Sequence, residues 1–191
     1  MKGLVPPLVG LAWKLEIRDR QGRILSSQGE ASRSYVRAFL DTLAAIIGFT
    51  NVTLVPDTLN VNRTIGAGGP FSSLGPNDNS LYGPVVGTGG GAVGISDYKL
   101  TTQIAHGLVA GTLDHELTVR QNLQTIGSTR QFEMRRLFVN QSGGVITISE
   151  CGLYSQTSTF YFCYVRDLVA PPVAVPALAT ATLIYTFSIT A

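Results

Sequence analysis

Residues 180–190 read TATLIYTFSIT, and apolar and polar side chains alternate along most of this stretch. A period of two is typical of a β-strand that buries one face. The pattern matters because residues 168–191 carry no charged side chain and are long enough to cross a bilayer as a helix. Prolines at 171, 172 and 176 interrupt the first half of that tract. Residues 180–190 therefore predict a half-buried core strand and argue against a membrane span.

Similar patterns recur earlier in the chain. Residues 11–17 alternate in the same way, and a turn at 19–22 leads into a second strand. The run 160–165 is apolar on both faces, which predicts a central strand, and a break in alternation near Arg135 and Arg136 predicts a bulge. The predicted strands are 11–17, 23–28, 51–55, 60–65, 81–86, 113–119, 132–138, 145–150, 160–165 and 180–190.

One segment changes to a helical period. Between residues 32 and 47, apolar side chains recur at spacings of three and four, which is the pattern of an amphipathic helix. Ser32 or Ser34 can cap its start, and Gly48 can end it. We expect this to be the only helix, with its apolar stripe packed on a sheet. That stripe consists of Tyr35, Val36, Phe39, Leu40, Leu43, Ile46 and Ile47.

Short strands with turns between them predict a mainly β fold. We expect an antiparallel β-sandwich of jelly-roll type with one amphipathic helix packed on a sheet. Residues 11–191 would form this single domain, and residues 1–10, which contain Pro6 and Pro7, an extended N-terminal arm. Residues 66–80 are rich in glycine, proline, serine and asparagine and predict a long loop of the kind that is often functional.

The composition is poor in charge. Charged residues make up 14% of the chain, against about 25% in ordinary soluble domains, and the mean hydropathy is +0.23. We expect a partner to cover such a surface, although a large core beneath serine, threonine, asparagine and glutamine would give the same composition. There is no basic run, so nucleic acid is not indicated. The one adjacent basic pair, Arg135-Arg136, is better explained by ion pairs at a strand edge.

Motifs for catalysis and metal binding are weak. Residues 85–92 superficially match a dinucleotide-binding loop, but no helix opens after them, and a flexible or tightly turned loop is the better interpretation. His106 and His115 have no partners at metal-ligand spacing, and residues 77–79 fit an Asx-turn better than a calcium loop. No nucleophile elbow occurs in the sequence. We therefore expect no enzyme activity, no catalytic residue, no cofactor and no metal.

The two cysteines, Cys151 and Cys163, lie in apolar strand-like runs. Buried free thiols are the first expectation, and a disulfide between neighbouring strands stays open. No secretory signal is recognisable in residues 1–10, because Pro6 and Pro7 break the apolar run.

Four blocks of sequence share one resemblance. They are LEIRDRQGRIL at 15–25 with SYVRAFL at 34–40; GPVVGTG at 83–89 with DYKL at 97–100 and IAHG at 104–107; RLFVN at 136–140 with ITISECGLY at 146–154; and VRD at 165–167 with Val173 and the strand at 180–190. Together they resemble small virion structural proteins of tailed bacteriophages, which are components of the head, neck or tail. The residues 66–76 and 171–176 depart from that pattern. The resemblance implies a structural role in the virion, with synthesis in the host cytoplasm.

A structural role requires surfaces that contact neighbours. We expect residues 1–10 and 66–80 to reach adjacent subunits and to cover open sheet edges by strand addition. The expected partners are copies of the same chain in a symmetric oligomer and other virion proteins, with no membrane. The candidate interface residues are Leu4, Val5, Pro6, Pro7, Phe71, Leu74, Tyr82 and Tyr98.

Two other functions stay open at this point. A receptor- or carbohydrate-binding module of a fibre or adhesin would gather surface aromatic side chains on one face. An enzyme on a β-sandwich would need a cleft of convergent titratable groups. The aromatic candidates are Tyr82, Tyr98, Tyr154 and Tyr161.

Overall fold

The structure, a computed structural model, describes residues 8–32 and 34–190. Within them the predicted fold is confirmed: antiparallel sheets pack together, accompanied by a single helix. The candidates Leu4, Val5, Pro6 and Pro7 lie outside the described residues. The elements are β1 Leu8–Arg18, β2 Ile24–Ser32, α1 Arg37–Ile47, β3 Val52–Pro56, β4 Asn62–Ile65, β5 Gly83–Gly87, β6 Asp114–His115, β7 Val119–Arg120, β8 Gln124–Ile126, β9 Thr129–Val139, β10 Ile146–Thr157, β11 Phe160–Val175 and β12 Thr180–Thr190.

The larger sheet has the strand order β2-β1-β12-β9, and the short strands β6, β7 and β8 pair in turn along the free side of β9. β1 and β12 match residue for residue, so that Trp13 lies opposite Tyr185 and Leu15 opposite Leu183. All four side chains are buried, whereas Lys14, between Trp13 and Leu15, is exposed. The alternation seen in residues 180–190 thus forms part of the inner face of this sheet.

The smaller sheet consists of β11, β10 and β5 in that order, and its inward side chains share one core with β1, β9 and β12. Fully burying one large apolar side chain contributes about 1.5–3 kcal/mol, so this core needs no covalent cross-link. Cys151 and Cys163 are buried free thiols, as first expected. The largest fully buried apolar and aromatic side chains include Trp13, Leu15, Ile17, Phe138, Ile148, Tyr154, Phe162 and Tyr185.

The prediction that residues 160–165 form a central strand is wrong, because β11 lies at the end of the smaller sheet. Its free side is covered by a connecting segment: the N–H of Val36 donates to the carbonyl of Tyr164 (3.0 Å), and the N–H of Arg166 donates to the carbonyl of Ser34 (3.2 Å). Helix α1 also packs against β11. Both faces of the strand are therefore covered, which explains its apolar sequence.

β11 continues through the proline-rich segment by means of a register shift against β10. Ile148 pairs with Val173, whereas Glu150 pairs with Leu168. Residues 169–172 therefore bulge out of the ladder. Proline has no N–H to donate to a ladder. The two prolines lie in this bulge, where the strand is unpaired with β10, and so they remove no ladder hydrogen bond.

Helix α1 starts later than predicted, at Arg37, with Val36 at the N-cap and no side-chain cap. Ser32, one of the two predicted caps, instead donates its hydroxyl to the carboxylate of Asp167 (2.9 Å). The predicted end of the helix is confirmed, because Gly48 is its C-cap.

The buried side of α1 also differs from the predicted stripe. Ala38, Thr42 and Ala45 are the buried residues of the helix, which packs against β11 and β3. Small side chains allow this close approach. Leu40 and Ile47, both members of the predicted stripe, are 68% and 80% exposed. The helix therefore leaves an apolar strip in solvent.

Three further predictions differ from the structure. Residues 8–10, assigned to the arm, belong to β1. The predicted bulge at 135–136 is wrong, because β9 pairs with β12 in continuous register over its whole length. The predicted strand 113–119 is broken into β6 and β7. Between these two strands the N–H of Thr118 donates to the carbonyl of Gly75 (2.8 Å), so the chain leaves the ladder to bind a loop.

Candidate functional site

Two long loops, residues 66–82 and 88–113, precede and follow β5. They meet where the amide of Gln103 donates to the carbonyl of Ser80. Together they form a continuous surface, which we call the loop platform. Long loops without regular structure are commonly functional or mobile. The contacts that these two loops make with the sheets therefore determine whether the platform keeps one shape.

Arg136 holds the first loop from beneath. It lies on the inner face of β9, is completely buried, and has no carboxylate partner among the described residues. Burial lowers the pKa of its guanidinium to about 10, so the group remains charged at neutral pH. It donates to five backbone carbonyls: those of Glu116 (2.8 Å), Pro76 (2.9 Å), Tyr82 (3.0 Å), Pro84 (3.4 Å) and Asn79.

The ion pairs predicted for Arg135-Arg136 are confirmed for Arg135 alone. Its Nε donates to the carboxylate of Glu133 at 2.8 Å, and its side chain is 42% exposed. Arg136 occupies an inward position that apolar residues normally fill. Its presence there interrupts the apolar alternation, which the sequence analysis interpreted as a bulge.

His115 lies in the same buried layer as Arg136. Its ring is fully buried and contacts the ring of Phe138 edge to face, with 4.9 Å between centroids. Burial lowers the pKa of His115 to about 3, and the charges of Arg136 and His106 act in the same direction. The imidazole is therefore neutral at physiological pH, and it lies in the interior of the protein.

This buried histidine makes stability depend on pH. An unfolded histidine has a pKa of about 6.5, so between pH 6.5 and 3 the unfolded chain binds the extra proton. We expect the free energy of unfolding to be about 2 kcal/mol lower at pH 5 than at pH 7 from this residue alone. The raised pKa of Asp167, caused chiefly by burial, acts in the opposite direction.

Urea unfolding at pH 7, 6 and 5 would measure this dependence. The variant His115→Gln, which has no titratable group at this position, is expected to lose most of the slope. An equal slope in both proteins would contradict the assignment.

The second loop is held by a buried ion pair between Glu150 on β10 and Arg166 on β11, with 2.9 Å between the carboxylate and Nε. The two side chains are 0% and 3% exposed. Arg166 also binds Asp97 of the loop at 2.7 Å. Burial opposes the charge of Arg166, but Asp97 and Glu150 raise its pKa overall.

Backbone groups complete this network. Arg166 donates to the carbonyls of Gly91 (2.8 Å) and Ala92 (3.1 Å). Glu150 accepts from the N–H groups of Gly89 (3.2 Å), Thr101 (3.0 Å) and Thr102 (2.7 Å). One buried pair of charges therefore fixes residues 89–102, the first part of the loop.

The glycine-rich residues 87–94 serve this network, and no helix follows them in residues 88–113. The predicted turned loop is confirmed. Gly89 lies so close to Glu150 that an added Cβ would be 2.3 Å from its Oε1. A glycine is required here because the backbone approaches a buried carboxylate.

Where the two loops meet, Asp78, His106 and Asp114 bring potential metal-ligand atoms within 4.8 Å of one another. The sequence analysis found no such cluster, because the three residues are widely spaced and match no motif. His106 accepts at Nδ1 from the N–H of His115 (3.2 Å), and Asp114 accepts from the amide of Gln141 (2.9 Å). These bonds link the second loop, β6 and the turn after β9.

Several candidate interface residues have side chains that pack within the subunit. Phe71 is half-buried against the main core. Tyr82 is half-buried and stacks on Tyr161, with 5.9 Å between ring centroids. Tyr98 is half-buried, and Leu74 is 43% exposed. Of these four, Leu74 has the most accessible side chain.

The tyrosines proposed for a carbohydrate site do not form one exposed face. Tyr154 is buried, and its hydroxyl accepts from the N–H of Leu100 (2.5 Å). Only Tyr82 and Tyr161 pair with each other, and their rings cover one another.

An apolar groove lies at one end of the larger sheet, where the inner face continues beyond the buried core. Val9 and Ile189, which pair across β1 and β12, are 66% and 50% exposed. Phe132 and Phe187 stack at 4.9 Å. The groove has a volume of about 230 Å³. It is lined chiefly by Val9, Leu123, Arg130, Phe132, Phe187 and Ile189.

Two further features would favour contacts with other chains. β2 is an outer strand of the larger sheet, with β1 as its one strand neighbour within residues 8–32 and 34–190. Open strand edges are templates for pairing. The exposed apolar strip of α1 continues at Phe49, which is 76% exposed.

A wider cleft of about 600 Å³ lies between β2 and β11. Its walls include Glu30 and Asp167, and burial raises the pKa of Asp167. This pair of carboxyl groups is the feature most relevant to the enzyme alternative.

Comparison with known proteins found no matching protein family, no similar curated protein and no similar solved structure. In the part of the chain that the structure describes, no helix has the length and apolar character needed to cross a membrane.

Proposed function

We propose that this protein is a non-catalytic structural subunit of a bacteriophage virion that binds copies of itself and other virion proteins. The observation that carries the proposal is the apolar groove. Val9 and Ile189 continue the inner face of a sheet into solvent beside the half-buried Phe187, and no second layer within residues 8–32 and 34–190 covers them. Apolar surface of this kind is usually buried by a partner.

The loop platform supports the same function. Particle subunits repeat the same contacts many times, so their contact loops must keep one shape. Arg136 holds residues 66–82, and Glu150 with Arg166 holds residues 88–113. Polar networks that are buried and fully satisfied make loops rigid.

The apolar strip of α1 and the open edge of β2 add two more contact surfaces. Several distinct surfaces on one subunit suit a symmetric assembly in which each copy has more than one neighbour. Carbohydrate binding is less well supported, because Tyr154 is buried and Tyr82 and Tyr161 stack on each other.

Self-association can be measured by size-exclusion chromatography with light scattering over a range of concentrations. We expect the full chain to form an oligomer of defined size. Ile189→Asp, which places a charge in the groove, is expected to weaken association about tenfold or more. Val145→Asp, in the turn between β9 and β10 where the side chain is 66% exposed, is the matched control. A full chain that stays monomeric at high concentration would contradict the proposal.

A further inference from the structure

We propose that the apolar groove of one subunit receives residues 1–7 of a neighbouring copy, with Leu4 and Val5 filling it. This inference rests on the proposed function and names the contact through which the copies join. Three features of the molecule support it: the chemistry of the groove, its size, and the point at which residues 1–7 enter the fold.

The lining of the groove favours an apolar ligand. Its floor consists of the stacked rings of Phe132 and Phe187, and aliphatic side chains such as Leu123 form its walls. Arg130 is the one charged side chain in the lining, and its guanidinium already donates to the hydroxyl of Thr125 at 2.8 Å. The rest of the lining is almost entirely apolar, so a ligand with several polar groups would lose hydration in this groove without finding partners for them.

The size of the groove suits a few side chains. Its volume of about 230 Å³ is below the range of about 300–1,000 Å³ typical of sites for drug-sized ligands. Two aliphatic side chains of a peptide fit such a space and would bury their apolar surface there.

Residues 1–7 precede β1, which begins beside this groove. They read MKGLVPP and are followed by Leu8 and then by Val9 of the groove wall. Leu4 and Val5 are apolar and so match the lining of the groove. Prolines at positions 6 and 7 favour an extended backbone, which suits a segment that reaches a neighbouring copy. A two-fold axis would let two copies exchange such segments reciprocally.

Three proteins and one mixture test the proposal. The first protein is the chain from Leu8 onward, which keeps the groove and lacks the segment. The second is full-length Leu123→Asp, which keeps the segment and carries a charge in the groove. The third, Val145→Asp, is the control, because Val145 is 66% exposed, Leu123 is 50% exposed, and Val145 lies in the turn between β9 and β10, outside the proposed contact surfaces. Circular dichroism establishes that each one is folded.

We expect the control to assemble like the full chain. The truncated chain and Leu123→Asp are each expected to associate at least about tenfold more weakly. Mixing the truncated chain with Leu123→Asp is expected to give mixed complexes, because one supplies the groove and the other the segment. A synthetic peptide of residues 1–7 in excess is expected to dissociate the full-chain oligomer, a measurement that does not depend on any variant folding.

Each contrary outcome is distinct. If the truncated chain assembles like the full chain, or if Leu123→Asp does, the proposed contact is overturned while self-assembly stands. If the mixture forms no mixed complex and the peptide has no effect, exchange between copies is overturned. If the full chain is monomeric throughout, the proposed function itself is overturned.

Discussion

Replacing Arg136 with alanine is expected to lower the free energy of unfolding by about 4 kcal/mol or more. The guanidinium is completely buried and donates to five backbone carbonyls. Alanine would leave these acceptors without donors in the interior, at about 1–3 kcal/mol for each group that water cannot reach. It would also leave a cavity where the side chain lay.

The neighbouring residue provides the matched control. Arg135 makes an exposed ion pair with Glu133, and exposed pairs contribute about 0–1 kcal/mol, so Arg135→Ala is expected to change stability little. Arg136→Lys is expected to fall between the two, because a lysine has three donors and lacks the planar fork. Urea unfolding measures all three. An Arg136→Ala variant no less stable than Arg135→Ala would contradict the role given to Arg136.

Replacing Glu150 with alanine is the second change with a large expected effect, about 3–5 kcal/mol of destabilisation. The substitution leaves the charge of Arg166 buried with Asp97 as its remaining acidic partner. It also removes the acceptor for the N–H groups of residues 89, 101 and 102. We expect these three amides to lose protection against hydrogen exchange.

A double-mutant cycle identifies the pair as one unit. The combined change Glu150→Ala with Arg166→Ala is expected to cost clearly less than the sum of the single changes, because residues in direct contact are coupled. Glu133→Ala, which breaks the exposed pair with Arg135, is the control and should leave exchange in residues 88–113 unchanged. Additive single and double variants would argue against a coupled pair.

The strands could be predicted because alternation is a local property of the sequence. The inward positions of β1 and β12 are apolar almost without exception, so Leu15 and Leu183 mark their face directly. The helix was predicted from its period, but its buried side was not. Hydrophobicity favours Leu40 and Ile47, whereas close packing selects Ala38 and Ala45.

The buried charges were missed because their partners are distant in sequence. Arg166 is 69 residues from Asp97 and binds it only after the sheets have formed. The available signal was local: Glu150 is the one charged residue of β10, and Arg166 with the adjacent Asp167 are the charged residues of β11. A single charge in such a position is either a surface residue or one end of a buried pair, and the sequence alone does not distinguish these two arrangements.

The most direct test of the proposed structural role is an electron-microscopy map of bacteriophage particles purified from a lysate in which this chain is produced. We expect the fold of packed antiparallel sheets to appear in many symmetric copies, with the apolar groove buried against a neighbouring subunit. Absence of the chain from purified particles would contradict the account. So would a map in which the groove of every copy faces solvent.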